Sequence, residues 1–441
     1  MSSQLRPYQV EAIERVREMY RSGTRSVVLQ MSTGSGKTHT AAEIVRLSVG
    51  LGFRVVFAAH LDALIDDTSE RLTKAGIEHG IVQASRPKNP AARVQVASLA
   101  TLAQRDDAPP GDLFILDECH RAMAESVRDV LGRYSAADLL GLTATPQRGD
   151  GKPLGDVFQR IVSGPSMKEL VALGHIVRAE VLSPPAPTEG TLARDPAEAL
   201  AEFAPGRASM VFCRDADHAH ATAERIGTRA VVILGDTPRR ERREARARLA
   251  AGEKLVLVGC GVFLEGFDCP PIDVVVLARS FSVCGGYLQG CGRGLRSYPG
   301  KDFATIIDLT GAALLHGLPE DDRVWSLDGE PRRTGPALVA LARCRSCFAV
   351  YHAGPSACPR CGASARGAKV KRRATRIERQ ELARLDTRPL HVRDAIALAG
   401  IERNIRARGR CKSEAQVAWA ARRVFEKNFG RAPTPREGSA A

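Results

Sequence analysis

Four short clusters of residues carry the chemistry this chain could do. The first is Ser32 to Thr38, which reads STGSGKT. Gly34 and Gly36 allow a tight turn in which Thr33, Ser35 and their neighbours aim backbone N–H groups at one point. A phosphate chain can sit there, against the start of a helix. Lys37 adds a point charge for the β- and γ-phosphates, and Thr38 a hydroxyl for a magnesium ion. Met31 stands where the general phosphate-loop pattern begins with glycine. The second cluster is Asp117, Glu118, Cys119 and His120. Two adjacent carboxylates leaving an apolar run are costly unless a cation or a reaction uses them. Asp117 suits a magnesium ion held through its water shell, and Glu118 suits a group that orients and deprotonates an attacking water.

The third cluster is Gln289, Arg293 and Arg296. Spacings of four and three put them on one face of a helix. An arginine reaching a γ-phosphate from a second domain stabilises the charge of phosphoryl transfer, an effect on the order of a thousandfold or more. The fourth is Cys344-x2-Cys347 and Cys358-x2-Cys361, two pairs separated by ten residues. Each pair can place two thiolates on one turn, and two such turns close a tetrahedral zinc site with no position left for water. Gly362 lets the second turn fold back, while Phe348 stands where the first would favour glycine. The other seven cysteines lack such spacing and read mostly as small core residues.

The elements that must position these clusters follow from the apolar runs. Val27 to Met31 reads as a buried strand feeding the glycine turn, with a helix from Thr40 onward. Val55 to Ala59, Val94 to Ala97 and Leu113 to Leu116 read as further strands, with a helix from Leu61 to Ala75. Strand and helix alternation of this kind gives a parallel sheet with helices on both faces. Near the N-terminus, Leu5 to Gln9 (LRPYQ) precedes an amphipathic helix with Val10, Ile13, Val16 and Met19 on one side. Gln9 has the amide geometry to pair with the N6 and N7 edge of adenine, and Arg6 or Tyr8 could cover the ring. A second set of strands runs through 210–212, 231–234, 255–258, 274–277 and 304–307, with a helix at 239–250. That half repeats the architecture without a phosphate loop of its own, so its chemistry has to reach across a cleft.

A chain of 441 residues has room for two or more domains, and 44% apolar against 26% charged residues is ordinary for a soluble globular protein. No apolar run is long enough to span a membrane, and MSSQLRPYQ lacks the layout of a secretory signal, so a cytoplasmic protein is expected. The formal charge of +14 is uneven: residues 366–441 hold 20 Lys and Arg against 8 Asp and Glu, and the rest carries only +2. A basic segment on a near-neutral body suits a polyanion, most often nucleic acid. A helix over Ser413 to Phe429 is expected within that segment.

DECH at 117–120, followed by GLTATP at 141–146, resembles motifs II and III of the superfamily 2 helicases and translocases. Leu5 to Gln9 is similar to their adenine-reading motif, MVFCR at 210–214 to motif IV, FLEGFDCP at 263–270 to motif V, and YLQGCGRGLR at 287–296 to motif VI. Within that superfamily the chain most resembles the RadD-like and XPB-like DEAD/DEAH-box group, and the zinc-spaced tail leans it toward RadD. At motif Ia, Ala58-Ala59-His60-Leu61 lacks the arginine common after the histidine. The resemblance implies two tandem RecA-like domains, ATP and Mg2+ as ligands, Arg296 as the arginine finger with Arg293 beside it, and Gly266 and Asp268 at the ribose or relaying closure. It implies that Thr143 and Thr145 couple the cleft to a nucleic-acid track. DNA is the expected partner over RNA, in repair or recombination, with repair proteins as further partners of the tail. RNA-directed unwinding and ATP-regulated recruitment without unwinding are the alternatives.

The expected fold is therefore α/β, two RecA-like domains plus a small zinc ribbon and a basic helical tail. The expected boundaries are 1–182 for the first domain, 183–205 for a linker, 206–320 for the second domain, 321–343 for a linker, 344–362 for the zinc module and 363–441 for the tail.

Overall fold

The computed structural model describes residues 5–84, 88–121, 125–150, 152–185, 192–264, 267, 269–328, 332–333 and 340–365. The chain divides into Met1–Val370 and Lys371–Ala441, and the latter lies outside the described residues, as does the helix expected over Ser413 to Phe429. Two lobes, each a parallel sheet between layers of helices, make up the described part.

The first lobe opens with α1 (Pro7–Arg21), β1 (Ser26–Gln30), α2 (Lys37–Gly50), β2 (Val55–Ala59) and α3 (Asp62–Lys74). It continues with β3 (Gly80–Val82), β4 (Val94–Ser98), α4 (Leu99–Gln104), β5 (Leu113–Asp117), α5 (Glu125–Arg133), β6 (Asp138–Thr143) and β7 (Arg160–Ser163). The seven strands lie in the order β3-β4-β2-β5-β6-β1-β7, and every pair is parallel. Because alternate residues of a strand face opposite sides, Val27 and Leu29 enter a core under α1, α2 and α3, while Val28 enters the core under α4 and α5. Burial on both faces explains why these strands read as continuous apolar runs. On α1 the covered face is Gln9, Ala12, Ile13 and Val16, with Met19 packed against the same core; of the expected side only Val10 is exposed. The helix starts at Pro7, with Gln9 answering the N-cap Arg6 in a capping box, and that start sets which side turns inward.

The second lobe comprises α6 (Met167–Ala172), β8 (Arg178–Leu182), α7 (Pro196–Phe203), β9 (Ser209–Cys213), α8 (Ala216–Ile226), β10 (Ala230–Ile233) and α9 (Arg239–Ala250). It is completed by β11 (Val256–Gly259), β12 (Val274–Ala278), α10 (Cys284–Gly294), β13 (Phe303–Asp308) and α11 (Ala312–His316). Its six strands run β10-β11-β9-β12-β13-β8, again all parallel. Two expected boundaries shift here. Residues 178–182 pair with β13 and belong to the second sheet, so the first domain does not extend to 182. The expected linker 183–205 contains α7, capped by Asp195 and buried through Ala199 and Leu200.

After the second lobe the chain crosses back. Trp325 packs on the second lobe's core, and two residues later Leu327 packs on the first lobe, its carbonyl accepting from the N–H groups of Leu154 and Gly155 at 2.7 and 3.0 Å. A short ladder of β14 (Arg323–Val324) and β15 (Arg332–Arg333) brackets this crossing, and a hairpin of β16 (Leu341–Arg343) and β17 (Val350–His352) follows. The interval 321–343 is thus more than a linker. The hairpin docks on the second lobe: Ser183 N–H donates to Phe348 O at 2.9 Å, and Phe348 meets Phe203 edge to face.

Candidate active site

The phosphate loop hangs between β1 and α2. Gly34 and Gly36 both take positive φ, +89° and +85°, a conformation that costs a residue with a Cβ but not glycine. Met31 does not need glycine: it lies outside the left-handed region and its side chain is fully buried in the sheet's core. Gly36 caps α2 without a side-chain bond, and the first helical turn carries no acid, so its N–H groups and the helix's positive end are left for an anion. Ser35 Oγ is buried without a partner. An orphaned hydroxyl beside uncapped N–H groups is what a phosphate-binding loop offers before its ligand arrives.

Lys37 Nζ lies between the carboxylates of the second cluster, 3.1 Å from Asp117 and in direct contact with Glu118. Burial works against its ammonium, but the two carboxylates outweigh that and raise its pKa above the ordinary lysine value. The Asp117 carboxyl is pushed up, chiefly by burial, with Lys37 opposing and the like charge of Glu118 adding to the shift. Glu118 follows the strand end with φ +48°, which turns its side chain toward Lys37. This pair of carboxylates is held by one lysine, and Thr38 and Asp117 face the same cleft, a hard-oxygen set that fits Mg2+.

A cleft of about 220 Å³ is lined by Thr33, Gly34, Lys37, Thr38, Asp117 and Glu118 of the first lobe, and by Gln289, Arg293 and Arg296 of the second. The three clusters recognised as phosphate loop, carboxylates and arginines therefore meet. Arg293 donates to the carbonyls of Phe267, at 3.2 Å, and Leu264. Arg296 is not on the same helix, because α10 stops at Gly294; it reaches the cleft from the extended segment beyond, where it bridges to Ile176. The lobes approach closely: a Cβ on Gly292 would lie 2.6 Å from Thr33 Cγ2, and one on Gly34 2.5 Å from Ile176 Cγ2.

A polar chain ties the carboxylates to the second lobe. His120 Nδ1 lies 3.4 Å from Glu118 and 2.9 Å from Thr143 Oγ1, which accepts from Thr145 N–H at 3.0 Å. Gln289 Nε2 then donates to Thr145 Oγ1 at 3.2 Å across the seam, and Gly285 N–H donates to Gln147 Oε1 at 3.1 Å. Gln147 was not foreseen from the sequence, nor were Asp67, Thr68 and Arg71 of α3, which also line the cleft; nothing in their spacing marked them. Gln9 and Arg6 stand behind the loop and do not line the cleft: Gln9 Nε2 donates to Ser35 O at 3.0 Å, and Arg6 donates to Tyr8 Oη at 2.8 Å. Gly266 and Asp268 lie outside the described residues.

At the hairpin, all four candidate sulfurs lie within 4.8 Å of one another. The Cys344–Cys361 and Cys347–Cys358 separations are 3.6 and 3.7 Å, close to the roughly 3.8 Å edge of a tetrahedron with zinc–sulfur bonds of about 2.3 Å. Phe348 takes the left-handed conformation, φ +59°, that Gly362 takes at +72°. The donor set fits zinc. Cys119, Cys213, Cys269, Cys284 and Cys291 are buried, and Cys260 is half-buried.

A phosphate loop and paired carboxylates on one parallel sheet, closed by a glutamine and arginines from a second, define an ATP-hydrolysing helicase of the DEAD/DEAH type, and the chain belongs to superfamily 2 of these nucleic-acid enzymes. Residues 2–148 match the family described as the res subunit of type III restriction enzymes, and residues 195–298 match the helicase conserved C-terminal domain. The chain is 26% identical over 360 residues to the putative ATP-dependent helicase IRC3 of Saccharomyces cerevisiae, covering 70% of this chain and 52% of that protein. It is 29% identical over 150 residues to the DNA 3'-5' translocase XPB2 of Sulfurisphaera tokodaii, covering 34% and 32%. Its fold is similar to a fragment of a putative HsdR subunit of a type I restriction enzyme from Vibrio vulnificus YJ016, with TM-score 0.60, 22% identity, and 74% and 69% of the two chains covered. The chain thus spans about half the length of the yeast relative. Among the described residues no helix is long and apolar enough to cross a membrane.

Proposed function

We propose that the chain is an ATP-dependent DNA translocase or helicase of RadD-like or XPB-like type, working in the cytoplasm on DNA repair or recombination. The observation that carries this reading is the cleft that Lys37, Asp117 and Glu118 share with Arg293 and Arg296 of the other lobe. On ATP binding, Lys37 exchanges the two carboxylates for the β- and γ-phosphates, which frees Glu118 to orient the attacking water. Thr38 and Asp117 would hold Mg2+, which, when bound, neutralises charge developing on the phosphates. Arg296 and Arg293 stabilise the transferred γ-phosphoryl from across the seam. Gln9, buried behind the loop, holds Ser35 O and so fixes the loop's shape, and an adenine would have to displace that bond to be read by it. Loss of the γ-phosphate loosens the Thr145–Gln289 contact, and alternating closure moves the two lobes along a strand.

DNA is preferred over RNA because a sequence relative is named a DNA translocase. The four cysteines close a structural zinc site that stiffens the face of the second lobe. The basic segment 363–441 supplies further phosphate contacts and a surface for repair proteins. An ATPase assay with single-stranded DNA, duplex DNA and RNA tests the reading: the largest stimulation comes from DNA, and stimulation by RNA alone would refute the choice of track.

A further inference from the structure

A second chamber, of about 450 Å³, lies at the seam on the other side of Gln289, which lines both it and the nucleotide cleft. Its floor is the start of α10, an 11-residue helix whose N-cap Val283 offers no side-chain bond and whose first turn carries no acid. Gln147 Oε1 holds the Gly285 N–H, while Gly286 adds no side chain there, so the positive dipole end of the helix still borders the space. A separate observation points to an anion. Arg148 lines the chamber and is 6% exposed. Its Nε donates to Asp150 at 2.8 Å and its Nη2 takes the other carboxylate oxygen, but Nη1 is buried with no partner. A buried guanidinium N–H without an acceptor is costly and rare unless a ligand completes it. Arg121, exposed at the rim, adds positive charge, and Asp150, also at the rim, is the carboxylate among the described lining residues.

We infer that this chamber is a phosphate-binding vestibule through which inorganic phosphate leaves after ATP is cleaved, with Gln289 as the partition. The shared wall argues for the product rather than for a nucleic-acid phosphate. Gln289 is tied to Thr145, and His120, which borders the vestibule, stands 3.4 Å from Glu118, so the partition is built from groups that respond to the γ-phosphate. This rests on the proposed ATPase reading.

The test uses the full chain and compares rapid-quench measurement of ATP cleavage with release of inorganic phosphate followed by a fluorescent phosphate sensor. Gly286→Leu fills the chamber at a position where a Cβ meets nothing nearer than 3.5 Å. It should leave cleavage within about twofold and slow release about tenfold, making release limiting. Arg148→Gln should also preserve cleavage, and should raise the inorganic phosphate concentration needed for product inhibition about tenfold, the expected loss for a charge-assisted bond. Release that tracks cleavage in both variants would overturn the vestibule alone. So would an Arg148→Gln protein that binds single-stranded DNA more weakly but resists phosphate no better, which would assign the chamber to a backbone phosphate. Absence of cleavage in the unaltered protein would overturn the parent reading and this one with it.

Discussion

In the first lobe β1 runs through STGSGKT into α2, whose N-terminus has no side-chain cap and no acid in its first turn. In the second lobe β9 runs through Arg214 and Asp215 into α8, and there Asp215 accepts from His218 N–H at 2.8 Å, with Asp217 in the first turn. The same strand, turn and helix thus ends in opposite ways. One helix neutralises its positive end with the chain's own carboxylate, and the other leaves it for a ligand's phosphates. Two lobes of one architecture can therefore divide the work, one binding and the other supplying arginines, according to what occupies a single helix cap.

The largest effect should come from the uncapped side. Lys37→Ala should reduce ATP hydrolysis by about a thousandfold or more, measured as phosphate release with saturating DNA, because the γ-phosphate loses its counter-charge. Hydrolysis near the unaltered rate would place the catalytic cradle elsewhere. Removing metal from the hairpin is next. Cys358→Ser, or a strong chelator, should lower the second lobe's melting temperature by several degrees with loss of stoichiometric zinc, since the sulfurs pack against Leu182 and Tyr351. Unchanged melting and no zinc in the purified protein would contradict a structural metal.

The self-capped side should respond more weakly and only in stability. Asp215→Ala should cost about 1 kcal/mol in denaturant unfolding and leave ATP hydrolysis unaffected. A larger loss of hydrolysis than of stability would break the contrast between the lobes. The smallest effect concerns Lys301 at the base of the second lobe, where burial, opposed by Asp273 and aided by Arg207 and Arg296, lowers its pKa to about 8 from 10.5. Between those values the unfolded chain binds more protons than the folded one, so stability rises with pH across this window. The penalty is fully present below about pH 8. Lys301→Met should flatten that slope, and an unaltered slope would show that another group titrates there.

The clusters that meet at the cleft and the hairpin are legible in the sequence because each is local. The glycine turn, the paired carboxylates after an apolar strand and the two cysteine pairs each need only a few residues in fixed spacing, and the strands around them are buried on both faces. What escaped was set by edges and by the second lobe. The strand at 178–182 carries Arg178 and Glu180 on an edge of the sheet, so its apolar pattern is weak. The helix at 196–203 falls within the expected linker, although Asp195 followed by Pro196 is a helix start. Arg296, expected on the helix of Arg293, lies two residues beyond its end. The chamber behind Gln289 exists only when two distant segments meet, and no spacing within either one records it.

If one lobe holds the nucleotide and the other triggers its cleavage, Arg296→Ala should separate the two. Titration with a fluorescent ATP analogue and single-turnover cleavage should be recorded on the same protein. Binding should stay within about threefold of the unaltered chain while cleavage slows by about a thousandfold. Cleavage at the unaltered rate, or binding lost in proportion to cleavage, would contradict that division between the lobes.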